Sequence, residues 1–240
     1  MIPADLQTIW VYLAAQPLLG LSLTLVAYLA GRWAYLKARG TPFLNPVLVS
    51  VVLLIVLLKL TGTDYQTYFQ GAQFVHFLLG PATVALALPL YRQLHTLRRS
   101  MHAVATALIV GSIVASVSAM WIAKALGAAS QTVLSTAPKS VTTPIAMGVA
   151  EQVGGLPSLT AALVLLTGII GAVVGPWVLD RLKIRDARAR GLAMGTASHG
   201  IGTARALAES ETAGAFSGLA MGLNGVVTAI IVPLLAGWFK

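Results

Sequence analysis

Long apolar runs separated by short polar or basic stretches dominate this sequence. About seven blocks of roughly 18–26 residues can be drawn, the length needed to cross a hydrocarbon core of about 30 Å. Their apolar positions are continuous rather than alternating, which predicts helices. Helices also satisfy their own backbone groups, as lipid requires. The blocks cover about residues 10–31, 42–60, 74–91, 101–123, 156–179, 191–208 and 213–238.

Two stretches do not fit a plain crossing. Residues 124–155 are too polar for a simple span, and we predict that 140–148 form a re-entrant segment, with an extracellular loop as the alternative. Re-entrant backbone is tolerated only where protein buries it or where it lines a watery cavity. The sixth block is short and rich in Gly, Ser and Thr, and we predict that it crosses the membrane once as an interrupted helix.

Charge is scarce and unevenly placed. Charged residues make up 10% of the chain, whereas a soluble domain carries about 25%. Most of the +9 net charge lies in three short basic stretches, which the positive-inside rule places in the cytoplasm. Because no contiguous basic face results, nucleic-acid binding is not expected. Threading the blocks in order then predicts an outside N-terminus and an inside Lys240. The basic stretches contain Arg32, Lys37 and Arg39; Arg92, Arg98 and Arg99; and Arg181, Lys183, Arg185, Arg188 and Arg190.

The two halves of the chain show signs of an inverted repeat. Gly80-Pro-Ala-Thr83 corresponds to Gly200-Ile-Gly-Thr203, and the middle block of each half is interrupted by Gly or Pro. Blocks two to four would match blocks five to seven, with each matched pair crossing in opposite directions. Paired broken helices indicate a transporter binding site, although Gly and Pro are common in membrane helices generally. We predict one membrane domain over 1–240, with an extra helix in 1–40 and repeats in 41–123 and 137–240.

Arg205 is the first candidate for a binding residue. An arginine at the centre of a membrane helix costs about 2.5–3.5 kcal/mol on insertion scales and therefore normally faces a cavity or a partner. Its guanidinium stays charged and matches a carboxylate with two parallel hydrogen bonds. The alternatives are that Arg205 extends to the interface or pairs with Glu209 four residues on.

The residues just before Arg205 complete a predicted carboxylate site. Gly200 and Gly202 can open the helix and expose backbone N–H groups, and a helix that starts there directs its positive end at an anion. Ser198 and Thr203 add hydroxyl donors. His199 is a candidate for substrate binding or proton transfer, and the alternative is a hydrogen-bonded core histidine.

Further polar residues lie in two other segments. Thr142 and Thr143 would meet the broken block if their segment is re-entrant, and they belong to an ordinary loop if it is not. Asn224 lies deep in the seventh block, where it would either contact the bound carboxylate or bridge two helices through a hydrogen bond. Gly171 with Gly175, and Gly214 with Gly218 and Gly222, recur every four residues and predict close helix contacts, which leaves a homo-oligomer open.

Several chemistries are not expected from this sequence. The chain has no cysteine, and its His, Asp and Glu residues lack metal-binding spacing, so no metal or other cofactor is predicted. The glycines at 200 and 202 lack the third glycine of a dinucleotide motif. We therefore do not expect an enzyme.

Two motifs carry a resemblance to a known family. The first motif is AMGTASHGIGTARA, from Ala193 to Ala206, and the second is KSVTTPIA, from Lys139 to Ala146. With these two motifs the sequence resembles the LrgB/CidB family, and the resemblance extends over nearly the whole chain. The resemblance implies an antiholin-like protein linked to murein hydrolase control, acting with a separate holin-like LrgA/CidA partner. Plant relatives resemble a plastidial glycolate/glycerate carrier, and some bacterial relatives are associated with pyruvate uptake.

The residues and the resemblance agree on a small anionic solute. We expect a multi-pass protein of the inner (plasma) membrane that carries pyruvate, glycolate or glycerate as a proton-coupled secondary carrier. The alternative is an antiholin-like regulator of murein hydrolase export and autolysis. The expected partners are the carboxylate, the lipid bilayer and an LrgA/CidA-like protein.

Overall fold

The computed structural model describes residues 17–38, 41, 44–78, 81, 84–85, 87–92 and 94–239, and within these ranges the regular elements are helices. The chain divides into two compact units, Met1–Val84 and Ala85–Lys240. The first contains α1 (Pro17–Lys37), α2 (Pro46–Thr61) and α3 (Tyr65–Phe77). The second contains α4 (Ala87–Arg92), α5 (Leu94–Arg99), α6 (Met101–Ala125), α7 (Ser130–Thr136), α8 (Thr143–Val153), α9 (Pro157–Arg181), α10 (Ala187–Glu209) and α11 (Glu211–Ala236).

Four helices in the described ranges are long and apolar enough to cross a membrane. They are Leu18–Lys37 of α1, together with α6, α9 and α11. The predicted second block is the shorter apolar helix α2. Five residues of the predicted third block, including Gly80 of the proposed repeat motif, lie outside the described residues, as does the start of the first block.

The first unit packs α1 against both of its neighbours. The Thr24 and Tyr68 hydroxyls are 2.7 Å apart and join α1 to α3. Gly31 of α1 lies against the backbone of Pro46, at the start of α2. Our prediction that the first block ends near residue 31, before Arg32, is wrong, because α1 continues to Lys37.

In the second unit, α6 and α11 run in the same direction. Val104 and Phe216 share one buried cluster, and Met120 and Val232 share another. Between these clusters the Ser112 hydroxyl lies 2.9 Å from the Thr228 hydroxyl. The residue numbers rise together along both helices, so the two are parallel. The prediction that blocks four and seven cross in opposite directions is therefore wrong.

The reason is that α10 folds back on itself. A straight helix would separate residues 190 and 209 by about 28 Å, yet Arg190 Nε lies 2.5 Å from Glu209 Oε1. The chain turns at Ser198 (φ −134°, ψ 15°) and at His199, whose φ of 40° is unusual for a residue other than glycine. Residues 187–197 form a first arm and residues 200–209 a second. The predicted single crossing of block six is wrong.

Most of the described basic groups of the second unit gather at one end, which we call the basic end. Arg92 pairs with Glu211 at 3.1 Å, and Arg188 donates to the Ser100 hydroxyl at 3.3 Å. At the opposite end the Lys124 ammonium lies 5.7 Å from the centre of the Phe239 ring. Phe239 thus lies at the end opposite the basic end, which does not fit the prediction of an inside Lys240. Lys240 itself lies outside the described residues.

Candidate functional site

Two helical hairpins approach α9 from opposite ends of the second unit and meet at one level. The first hairpin consists of α7, residues 137–142 and α8; the second consists of the two arms of α10. Val141, near the tip of the first hairpin, is buried with Val164 of α9. His199, at the tip of the second, donates from Nε2 to the carbonyl oxygen of Val164 at 3.0 Å. Both tips therefore reach the same turn of α9.

A row of glycines on α9 receives the second hairpin. A Cβ on Gly168 would lie 2.7 Å from His199 Nε2, and one on Gly171 would collide with the Ser198 hydroxyl. One on Gly175 would lie 2.6 Å from the sulfur of Met194. The close contact predicted for Gly171 and Gly175 is confirmed, and it is a contact within one chain.

α11 holds the second hairpin from another side. Asn224 Nδ2 donates to the carbonyl oxygen of Thr196 in the first arm at 3.0 Å. In the second arm, the Thr203 hydroxyl donates to the carbonyl oxygen of His199 at 2.8 Å and lies 3.0 Å from the Ser217 hydroxyl. Asn224 therefore does bridge two helices, as one of our alternatives proposed.

Several buried polar atoms at this level have no hydrogen-bond partner among the described residues. They include the hydroxyl oxygens of Ser140 and Ser198, one in each hairpin, and Oδ1 of Asn224. All three residues are at most 1% exposed. Leaving such an atom unpaired costs about 1–3 kcal/mol, so each needs an explanation. Three of them where two hairpins meet is the arrangement expected of a site that binds a polar ligand.

Two helix N-termini are directed toward this level. α8 begins at Thr143, and its N-cap residue Thr142 makes no side-chain capping bond to any described residue. Ile145, in the first turn of α8, lies close to Gly225 of α11. The second arm of α10 begins at Gly200, directly after the turn. Because helix N-termini carry partial positive charge and unpaired N–H groups, the paired ends suit an anion.

The predicted site residues are thus only partly brought together. The tip of the second hairpin and α11 bring Ser198, His199, Thr203 and Asn224 together beside α9. Thr142 and Thr143 follow Val141, which is buried with Val164 of α9. Gly200 is half-buried at the turn, and a Cβ there would have the sulfur of Met221 as its nearest neighbour, at 3.8 Å. Gly202 is buried where a Cβ would lie 2.6 Å from the carbonyl oxygen of Met194, so it lets the two arms pack.

Arg205 lies in a different pocket. It is six residues beyond His199, which is about 9 Å along a helix. With the end of α9 and the base of the second hairpin it lines a cavity of about 370 Å³ near the basic end. The cavity is lined by Pro176, Asp180, Arg185, Arg190, Arg205 and Glu209.

Arg190 is the residue in this pocket that our sequence reasoning missed. It is 8% exposed, and it binds Asp180 at 2.7 Å, Glu209 at 2.5 Å and the carbonyl oxygen of Ile184 at 3.0 Å. Glu209, which we considered as a partner of Arg205, is therefore engaged by Arg190. These contacts tie both arms of the hairpin to the end of α9. The pairing joins residues 19 positions apart, which helical periodicity cannot indicate.

Within the described ranges, the His, Asp and Glu side chains form no group of three or more suited to a metal ion. The architecture is that of a helical membrane protein, in which long apolar helices enclose hairpins with buried polar tips. Comparison with known sequences then identifies the family. The chain belongs to the LrgB-like family, whose profile matches residues 24–238.

Curated relatives match over most of their length. "Uncharacterized protein YxaC" of Bacillus subtilis (strain 168) is 38% identical over 217 residues, which cover 90% of this chain and 94% of the relative. "Uncharacterized protein YwbG" of the same strain is 37% identical, with 91% and 96% covered. "Antiholin-like protein LrgB" of Bacillus mycoides (strain KBAB4) is 33% identical, with 91% and 95% covered. No solved structure matches this chain.

Proposed function

We propose that this protein carries small monocarboxylates of the pyruvate, glycolate or glycerate type across the plasma membrane as a proton-coupled secondary carrier. The observation that supports the proposal is the meeting of two hairpins from opposite ends, with buried unpaired polar atoms at their tips. A regulator without a solute path has no need for such a layer.

The height of the tips along α9 supports a site near the membrane midplane. Gly168, which contacts His199, is 11 residues from Pro157 and 13 from Arg181. These separations correspond to about 17 Å and 20 Å of helix. Transporters of several folds bind anionic substrates at this depth between half-helix N-termini. Each hairpin faces one side of the membrane, so movement of either one would open the site to that side alone.

Two features support the roles that we propose along the path. Arg205 and Arg185 border the cavity at the basic end, where a guanidinium would pair an entering carboxylate. His199 would exchange the coupled proton at the tip, where its Nε2 is held by Val164. Ser198, Thr142, Thr143 and the backbone N–H groups of the two helix ends would then take over the carboxylate.

The second candidate is antiholin-like regulation, and the comparisons favour it over transport. Relatives with 33% identity carry the name "Antiholin-like protein LrgB", and none of the relatives named above carries a solute in its name. In this reading the chain would act with a separate holin-like LrgA/CidA-type protein and modulate murein hydrolase export and autolysis.

The test is uptake of radiolabelled pyruvate and glycolate into proteoliposomes, with and without an inward proton gradient. We expect saturable uptake that the gradient stimulates and that Arg205→Ala abolishes. Arg181→Ala is the matched control, because Arg181 is also at the basic end but stacks on the exposed Trp177 ring at 5.3 Å, outside the cavity. It should transport as the unaltered protein does.

Three other results are informative. Normal uptake by Arg205→Ala would show that the arginine cavity is not part of the path. Uptake only after an LrgA-like partner is added would indicate a two-component transporter. No uptake under either condition, together with normal autolysis control by Arg205→Ala in cells, would replace the transport proposal with the antiholin-like one.

A further inference from the structure

A groove on the second unit runs between α6 and the first arm of α10. It consists of two adjoining cavities of about 380 Å³ and about 370 Å³, which share Ala107, Ala189 and Leu192 as lining residues. The first cavity opens at the basic end beside Arg99 and Arg188. The second extends the groove toward the tip of the second hairpin.

The inner part of the groove is narrow, apolar and long. Small side chains of the two helices line it, and a Cβ on Gly111 would lie 3.2 Å from the methyl group of Thr196. From Ala103 to Ala115 the groove follows α6 for about 18 Å. This length is close to one leaflet of hydrocarbon, about 15 Å thick. Such walls offer little to a free carboxylate, but they match an acyl chain.

The outer end of the groove carries an excess of positive charge. Among its lining residues, Arg99 and Arg188 are basic and Asp186 is acidic, which leaves a net charge of +1. Hydrogen bonds from Arg188 lower the pKa of Asp186 to about 2, so this carboxylate stays ionised and anchors Arg188. Arg188 also donates to Ser100 at 3.3 Å, across the mouth of the groove, and Arg99 is exposed beside it.

We propose that the groove binds one anionic phospholipid from the leaflet at the basic end, with the phosphate at Arg99 and Arg188 and an acyl chain along Ala107 and Gly111. The charge at the mouth and the apolar length below it complement the two parts of that molecule. Basic pockets between membrane helices commonly bind anionic headgroups. The inference does not depend on whether the protein transports a solute.

Native mass spectrometry of the purified protein, titrated with phosphatidylglycerol or phosphatidylcholine, tests the proposal. We expect one tightly held phosphatidylglycerol and weaker phosphatidylcholine binding. Arg99→Gln should weaken phosphatidylglycerol binding about fivefold, the effect expected of one basic residue near an anionic headgroup. Ala107→Phe should displace the lipid by filling the groove.

Two control variants separate the groove from general lipid contact. Arg181→Gln removes a charge at the same end, and Ala105→Phe adds the same ring to an exposed position of α6, and neither residue lines the groove. Both should bind phosphatidylglycerol normally. Equal binding of the two lipids, or normal binding by both groove variants, would overturn the proposal. A change of oligomeric state in Ala107→Phe without lipid loss would instead place a second copy in the groove.

Discussion

The second hairpin packs closely against α9 because three positions of α9 are glycines, which have no side chain. Gly168, Gly171 and Gly175 form one face of α9, and each lies against a different residue of the hairpin. Ser198 fills the space beside Gly171, which keeps its hydroxyl inside the protein at 1% exposure. Backbone approach of this kind is what small residues provide in membrane helices, where packing rather than hydrophobic burial drives association.

Gly171→Ala should therefore destabilise the protein. The added methyl would collide with the Ser198 hydroxyl, and overpacking of this kind costs about 1–3 kcal/mol. The measurement is the thermal unfolding midpoint of the purified protein in detergent, which should fall. Gly148→Ala is the matched control, because a Cβ there meets nothing within 4 Å and alanine favours a helix. An equal fall for both variants would show that the hairpin does not pack against Gly171.

At the scale of the element, the reversal within α10 defines the site. His199 keeps an unusual positive φ, and the two arms are joined at their base by Arg190 and Glu209. Strained backbone persists only where the surroundings determine it, and it concentrates at functional positions. Here the glycine face of α9 and the polar contacts to α11 supply that constraint. The turn places a new helix N-terminus in the interior, which a single straight helix would not do.

Spin-label distances can test the reversal directly, because the chain has no cysteine to remove. Labels on Ala189→Cys and Ala208→Cys, both exposed, would be about 28 Å apart on a straight helix. We expect a much shorter distance, because packed helices lie about 8–10 Å apart. The pair Thr106→Cys and Ala125→Cys has the same separation in the unbroken α6 and should give the long distance. Similar long distances for both pairs would disprove the hairpin.

For the whole second unit, the reversal within α10 determines the direction in which α11 runs. Because α10 returns to the basic end, α11 starts there beside Arg92 and runs parallel to α6. The end of α11 therefore lies with Lys124 and α7. The two short hairpins enter from opposite ends, so the unit has a polar layer in its middle and long apolar helices around it.

This arrangement predicts the labelling of single cysteines by a membrane-impermeant maleimide in intact cells. Lys124→Cys and Trp238→Cys should react from the outside, because their end is opposite the basic end and the positive-inside rule places basic residues in the cytoplasm. Arg98→Cys and Arg185→Cys should react only after the membrane is permeabilised. If Trp238→Cys instead behaves like Arg185→Cys, then α10 crosses the membrane and our sequence-based topology is restored.

The sequence by itself determined that the protein lies in lipid, that it is helical, and which family it belongs to. Continuous apolar runs, scarce charge and the two motifs at residues 139–146 and 193–206 are local properties, so they can be read without a fold. They also indicated Ser198, His199, Thr142, Thr143 and Asn224 as candidate site residues, which stays a prediction. Only the tertiary structure decided the course of the chain through block six. A straight and a folded helix have the same length and apolar content, and contacts with α9 and α11 choose between them. The separation of Arg205 from the tips and the network of Arg190 follow from that reversal, because both depend on residues distant in sequence.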